Sequence, residues 1–189
     1  TEGAMWWTSN KSMKDPSAFK GLKFRTMQSP MILAAYEAYG ANPTPMSYTE
    51  VYSGLQLNMI EGQENPLSAI LTSKFYEVQD YLCDAQSNLY MTCTCVNPTF
   101  FASLPEDIQQ IVLETIDEMY PRSFEIQKEL NDAALDKILD AKPDINVEEL
   151  TDDEHAAYAE LAQNAYAVYG TTVGADGQAI LDKLLEEIA

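Results

Sequence analysis

The sequence predicts an α/β protein with parallel strands layered against helices. Three observations carry this. From Leu22 to Lys74, strand-like and helix-like segments alternate three times, the pattern of a sheet covered by helices. Helix starts are marked by local chemistry at Ser29-Pro30, at Pro66 and at Thr151-Asp152-Asp153-Glu154, where capping residues or an N-terminal proline suit the first turn. From Pro105 to about Ala141 the pattern is helical and highly charged.

In order, Trp6 and Trp7 precede a turn-rich run, Thr8 to Lys11, and Asp15-Pro16-Ser17 opens a short helical turn ending at Gly21. Leu22 to Met27 reads as a strand, with Leu22 and Phe24 on one face and Lys23 and Arg25 on the other. Ser29 caps a helix that runs to Tyr39 and stops at Gly40. Asn42 to Met46 is extended, because residues before proline avoid helical geometry. Ser47 to Glu50 fits a capping box, and Val51, Leu55 and Met59 then recur at helical spacing, with Gly62 as the stop. Glu61 to Asn65 crosses as a short strand or turn, and Pro66 opens a helix to about Lys74.

Phe75 to Leu82 and, more clearly, Leu89 to Val96 read as strands. In the charged run, Ile108, Ile111, Val112, Thr115, Ile116 and Met119 form an apolar stripe, and Pro121 is expected to kink or split the helix. A continuous helix of that length would span roughly 50 Å, too long for one small lobe. A brief strand at Asp144–Val147 follows, then the second capping box and helices at about 152–169 and 175–188.

Composition narrows the function. Thirty acids against 11 bases give a net charge of -19, which disfavours nucleic acid and anionic membranes as partners. No run of about 18 apolar residues occurs, so no membrane-spanning helix is expected. Thr1 to Met5 has neither a basic nor an apolar leader character, as in a protein whose signal peptide has been removed. Cys93 and Cys95 lie two apart on one expected strand face, which makes them poor disulfide partners. With Cys83 they read as buried small hydrophobes rather than metal ligands.

No nucleophile elbow, zinc motif, phosphate loop or dinucleotide fingerprint appears. His155 has no nucleophile beside it, and Glu61 and Glu64, three apart in a strand, face opposite ways. No enzyme, metal or cofactor is expected. Asn65 has the simple role of N-cap to the helix after Pro66, a place that also faces free N–H groups toward an anion. Arg25 alone reads as a surface or salt-bridge residue, and Tyr48 alone as core.

Taken together, GLKFRTMQSP, GANPTPMSYTEVYSGLQ, GQENPLSAI, SKFYEVQDYL and SLPEDIQQIV resemble the substrate-binding proteins of tripartite ATP-independent periplasmic (TRAP) transporters, in the same order and at similar spacing. The resemblance implies a two-lobed, type II-like periplasmic binding protein fold with a long helix crossing the lobes. It implies an extracytoplasmic, periplasmic receptor that captures an organic acid and delivers it to membrane permease subunits. A ligand-sensing or interaction module on the same fold is the alternative.

Residue by residue, the resemblance makes Arg25 the partner of a ligand carboxylate, Asn65 a ligand contact and Tyr48 an aromatic packed on the ligand. Gln28 supplies a further polar contact, with Glu64 beside it; Trp6 and Trp7 suit a less polar ligand body, one of them being core, and Trp7 is taken as the contact. Met5 stands where many members carry a second arginine, which favours a monocarboxylate over a dicarboxylate. The family's length implies that residues 3–90 and 131–189 form a complete second lobe, while 91–130 belongs to a first lobe that is mostly missing. Exposed apolar surface is then expected over 91–130, along with a companion N-terminal fragment or a swapped dimer.

Overall fold

The computed structural model describes residues 1–188. Strands β1 (Gly3–Ser9), β2 (Lys23–Thr26), β3 (Asn42–Pro45), β4 (Gly62–Pro66), β5 (Tyr81–Asp84), β6 (Leu89–Tyr90) and β7 (Asn146–Glu149) form one sheet. Its order is β3-β2-β4-β1-β5-β7, with β6 on the end of β1. The expected parallel pairs are β2 with β3, β2 with β4, and β5 with β7. The central strand β1 runs antiparallel to both neighbours, so the sheet is mixed.

Helices α1 (Pro30–Ala38), α7 (Asp152–Ala162) and α8 (Asn164–Ile188) gather on one face, and α2 (Val51–Gln56), α3 (Leu67–Thr72) and α6 (Ala134–Ala141) on the other. Strand alternation sends neighbouring residues to opposite faces. The core is therefore two clusters. One is aromatic: Trp7, Phe19, Phe24, Tyr36, Tyr39 and Tyr158, with ring centroids 4.6–6.4 Å apart. The other is aliphatic, centred on Leu55, Ile60, Ile70, Leu82 and Ile138.

Several elements depart from expectation. The Ser47 box does not form: a 3-10 turn at Tyr48–Glu50 leads into α2 without a side-chain cap, and α2 ends at Gln56. Met59 lies beyond it and is exposed. Phe75–Val78 is another 3-10 turn, so only Tyr81–Asp84 of the expected strand is extended in the sheet. Of Leu89–Val96, only Leu89 and Tyr90 pair, because no strand flanks the remainder. Cys93 and Cys95 are consequently exposed rather than buried, with sulfurs 3.4 Å apart, while Cys83 is buried as expected.

Helices α4 (Pro98–Ser103) and α5 (Glu106–Asp132) carry the charged run. The chain continues helically through Pro121, and the break to α6 falls at Ala133 instead. No residue of α5 is buried; Ile111, Met119, Tyr120 and Phe124 all meet solvent. The Thr151–Glu154 box forms as expected. Beyond it the helix breaks twice, after Ala162 and at Gly174, whose φ of 72° is the left-handed conformation that glycine tolerates. Among the described residues no helix is long and apolar enough to cross a membrane, and no cluster of three or more His, Cys, Asp or Glu side chains able to hold a metal ion occurs.

Candidate functional site

Arg25 stands near the end of β2, in register with Thr44 of β3 and Gln63 of β4. Its side chain leaves the sheet opposite Phe24, as alternation requires. The residue is only 4% exposed. Nε and Nη2 both donate to the Met46 carbonyl, at 3.1 and 2.9 Å. No carboxylate of the described residues lies within 4.0 Å of it. Burial pushes its pKa down, opposed chiefly by the charge of Glu64, but a guanidinium stays cationic at neutral pH. A desolvated cation held by one neutral carbonyl is short of compensation and favours an anion.

The guanidinium opens on a cavity of about 790 Å³, also lined by Gln28, Met46, Tyr48, Glu50 and Met59. Tyr48 is half-exposed; its hydroxyl meets Ser73 Oγ at 2.5 Å, and its ring packs edge-on to Phe75 with centroids 5.8 Å apart. This holds the ring upright along the cavity wall. Gln28 is exposed beside it. Arg25, Tyr48 and Gln28 therefore share one cavity.

Asn65 does not cap α3. It lies inside β4, and the N-cap position falls on Pro66. Its side chain leaves β4 on the face of Gln63, the register partner of Arg25. Across β1, Asn65 pairs with Trp6. Asn65 is buried and lines neither the Arg25 cavity nor a second cavity of about 540 Å³, which its register partner Trp6 lines with Leu67, Phe124 and Asn131.

Two expected site residues lie elsewhere. Trp7 is fully buried in the aromatic cluster and donates from Nε1 to the Tyr36 hydroxyl at 2.7 Å. It is a core residue, and its neighbour Trp6, half-buried, is the tryptophan on the Arg25 face. Glu64 also points to the aromatic side. Its Oε2 accepts from Tyr36 Oη at 2.7 Å, Asn88 Nδ2 at 3.0 Å and Ser87 Oγ at 3.4 Å, while Oε1 is buried without a partner. Burial pushes its pKa up, against those hydrogen bonds. Met5 is buried too and, being uncharged, supplies no cation to a ligand.

Sequence reading missed Thr8, Gln63 and Gln79, three fully buried polar residues on the Arg25 side of the sheet. The visible signal was polar residues at alternate positions in GQENP, within a strand buried along its whole length. Gly62, at the start of that strand, is required by space: a Cβ there would sit 2.8 Å from the Thr8 carbonyl and 2.9 Å from the Phe24 ring.

A sequence model of the family described as "Bacterial extracellular solute-binding protein, family 7" matches residues 1–171. The ectoine/5-hydroxyectoine-binding periplasmic protein UehA of Ruegeria pomeroyi is 35% identical over 188 residues, which are 100% of this chain and 56% of that protein. The solved periplasmic ectoine-binding protein of the TeaABC TRAP transporter of Halomonas elongata aligns with a TM-score of 0.91 at 34% identity, over 95% of this chain and 59% of that one. A TRAP periplasmic solute-binding protein from Desulfovibrio salexigens, solved with bound orotic acid, aligns with a TM-score of 0.90 at 34% identity, over 98% of this chain and 59% of that one. The chain spans a little over half the length of each of these proteins.

Proposed function

The chain belongs to bacterial extracellular solute-binding protein family 7, and on that premise we propose that it is the ligand-capturing part of a periplasmic receptor for a compact organic acid. Members of this family are transport receptors rather than enzymes; in TRAP systems they hand a small solute to membrane permease components. The observation that carries the ligand class is Arg25: a buried cation with no acidic partner, opening on a cavity. A carboxylate suits it, because a guanidinium–carboxylate contact is charge-assisted and geometrically selective. Uncharged Met5, standing where the resemblance has a second arginine, favours one carboxylate over two. The ectoine named for one relative and the orotic acid bound by another are both compact ring acids with a single carboxylate.

In this reading residues 3–90 and 131–189 form the second lobe, and 91–130 contributes a strand and helix to the first. Supporting it, α5 buries none of its residues and the segment after Tyr90 lacks strand partners. Ligand favours closure of the two lobes by binding the closed state better than the open one.

The test is calorimetry with a panel of mono- and dicarboxylates. The best ligand is expected to be a monocarboxylate, and Arg25→Ala to weaken it about tenfold or more, the scale of a hydrogen bond to a charged group. Equal affinity in the variant would refute the carboxylate assignment.

A further inference from the structure

Three sulfur side chains stand at alternate positions of one exposed segment, Met91-Thr92-Cys93-Thr94-Cys95. Patterning alone assigns both thiols to a buried strand face, but the chain after Tyr90 has no strand partner, and both are exposed. The two sulfurs nevertheless meet, Sγ to Sγ at 3.4 Å. Side chains two apart on an extended chain share a face, and this contact shows the rule at work here. Met91 holds the preceding position of the same alternation and is 79% exposed. Its thioether sits on an unbranched, flexible arm, one two-residue step of roughly 6.6 Å from Cys93. None of the three belongs to either core cluster, so packing does not account for them.

The donor set selects the ion. Thiolate and thioether are soft ligands that select copper(I), whereas carboxylates suit harder cations. A structural zinc site closes with four ligands, Cys or His above all, and no group of even three His, Cys, Asp or Glu side chains occurs among the described residues. A disulfide is disfavoured as well. Two residues of extended chain separate the Cα atoms by roughly 6.6 Å, at the far edge of the range a disulfide spans. The thiols are therefore free to bind, and the way in is open. Cys93 borders a cavity of about 520 Å³ that Glu2 also lines, and a net charge of -19 concentrates cations around the chain.

We propose that Met91, Cys93 and Cys95 form a three-sulfur binding site for a soft monovalent cation, copper(I). On binding, each thiol releases its proton to solvent and its thiolate bonds the ion. The thioether adds a neutral third ligand, and no electron is transferred. The site shares no residue with the lining of the Arg25 cavity and does not depend on the receptor reading. Pairing of this segment as a strand of a first lobe would engage its backbone groups and keep the three sulfurs on one face.

The test is an anaerobic titration of the reduced whole chain with copper(I) supplied as its bicinchoninate complex, whose colour fades as the protein takes the ion. Saturation at a single ion per chain is expected. Bound copper should also shield Cys93 and Cys95 from alkylation by iodoacetamide, read residue by residue by mass spectrometry. The double variant Cys93→Ser, Cys95→Ser is expected to weaken binding at least about 100-fold, the upper end of what changes outside a metal's ligand shell cause. Met91→Leu keeps the size and removes the sulfur, and should weaken binding about tenfold or more, the lower end of that range. All three positions are exposed, so the thermal unfolding of both variants should match wild type.

Wild-type copper affinity in the double variant, or a Cys93–Cys95 disulfide in place of bound copper, overturns the site. Wild-type affinity in Met91→Leu overturns the three-sulfur assignment. Displacement of copper(I) by an equal concentration of zinc overturns the choice of ion.

Discussion

The two faces of β4 solve different problems. On one, Glu64 points into a buried aromatic cluster with Trp7, Tyr36 and Phe24. On the other, Gln63 and Asn65 continue a polar ladder toward the Arg25 cavity. Residue chemistry does not sort them: the ionisable Glu64 is in the core and the neutral amides face the site. Strand alternation does the sorting, and it does the same across β1, where Trp7 is core and Trp6 faces the site. The difference teaches that adjacent residues of one motif can carry stability and recognition separately. Variants on one face should leave the other face's property intact.

The largest break expected is Trp7→Ala. It empties the centre of the aromatic cluster and orphans the Tyr36 contact. A loss of about 3–5 kcal/mol is expected, the range for a buried tryptophan truncated to alanine, measured by urea denaturation. The milder Trp7→Phe stays folded for titration, and its carboxylate affinity should match wild type. A loss of affinity without loss of stability would erase the distinction between the faces.

Glu64→Gln sharpens the comparison through pH. Burial raises the Glu64 pKa above its ordinary value of 4.5. The folded state then keeps a proton that the unfolded state has released, so Glu64's contribution is most favourable below 4.5 and declines as pH rises through the folded value. Wild type minus Glu64→Gln, compared by denaturation across pH, should therefore be flat below 4.5 and fall above it. The groups that bear on Glu64 are Tyr36 from α1, Ser87 and Asn88 from the turn before β6, and the Arg25 charge from β2. A difference that rises with pH would mean Glu64 is held as a stabilised carboxylate instead.

Legibility followed locality. The Phe24/Arg25 alternation, the start of α1 at Pro30, and the Thr151–Glu154 box depend on residues near one another in sequence, and all were readable. Strand β1 was not. It is central, and its apolar GAMWWTS run lacks clean alternation because both faces are covered. Leu89–Val96 had strand composition but only two residues found a partner. The resemblance singled out Arg25, Tyr48 and Asn65, and the fold brings Arg25 and Tyr48 to one cavity. The Gln79–Thr8–Gln63 ladder was not, since it is assembled from three separate segments of the sheet region. Trp7 was misplaced because a choice between adjacent tryptophans requires the strand's register.

The smallest effect tests whether the aromatic face is assembled from outside the strands. Thr151 Oγ1 accepts the Glu154 N–H, and Glu154 returns a carboxylate oxygen to the Thr151 N–H. This cap starts α7, which carries Tyr158 into contact with Trp7 and lets its hydroxyl donate to the Met13 carbonyl at 2.6 Å. Thr151→Ala removes the cap but no core atom. A loss of about 1 kcal/mol in unfolding free energy is expected, typical of an N-cap hydroxyl, with carboxylate affinity unchanged because α7 packs on the face away from Arg25. Thr151→Ser should restore the stability. An affinity change in Thr151→Ala that serine does not reverse would mean that the two faces are coupled through the sheet.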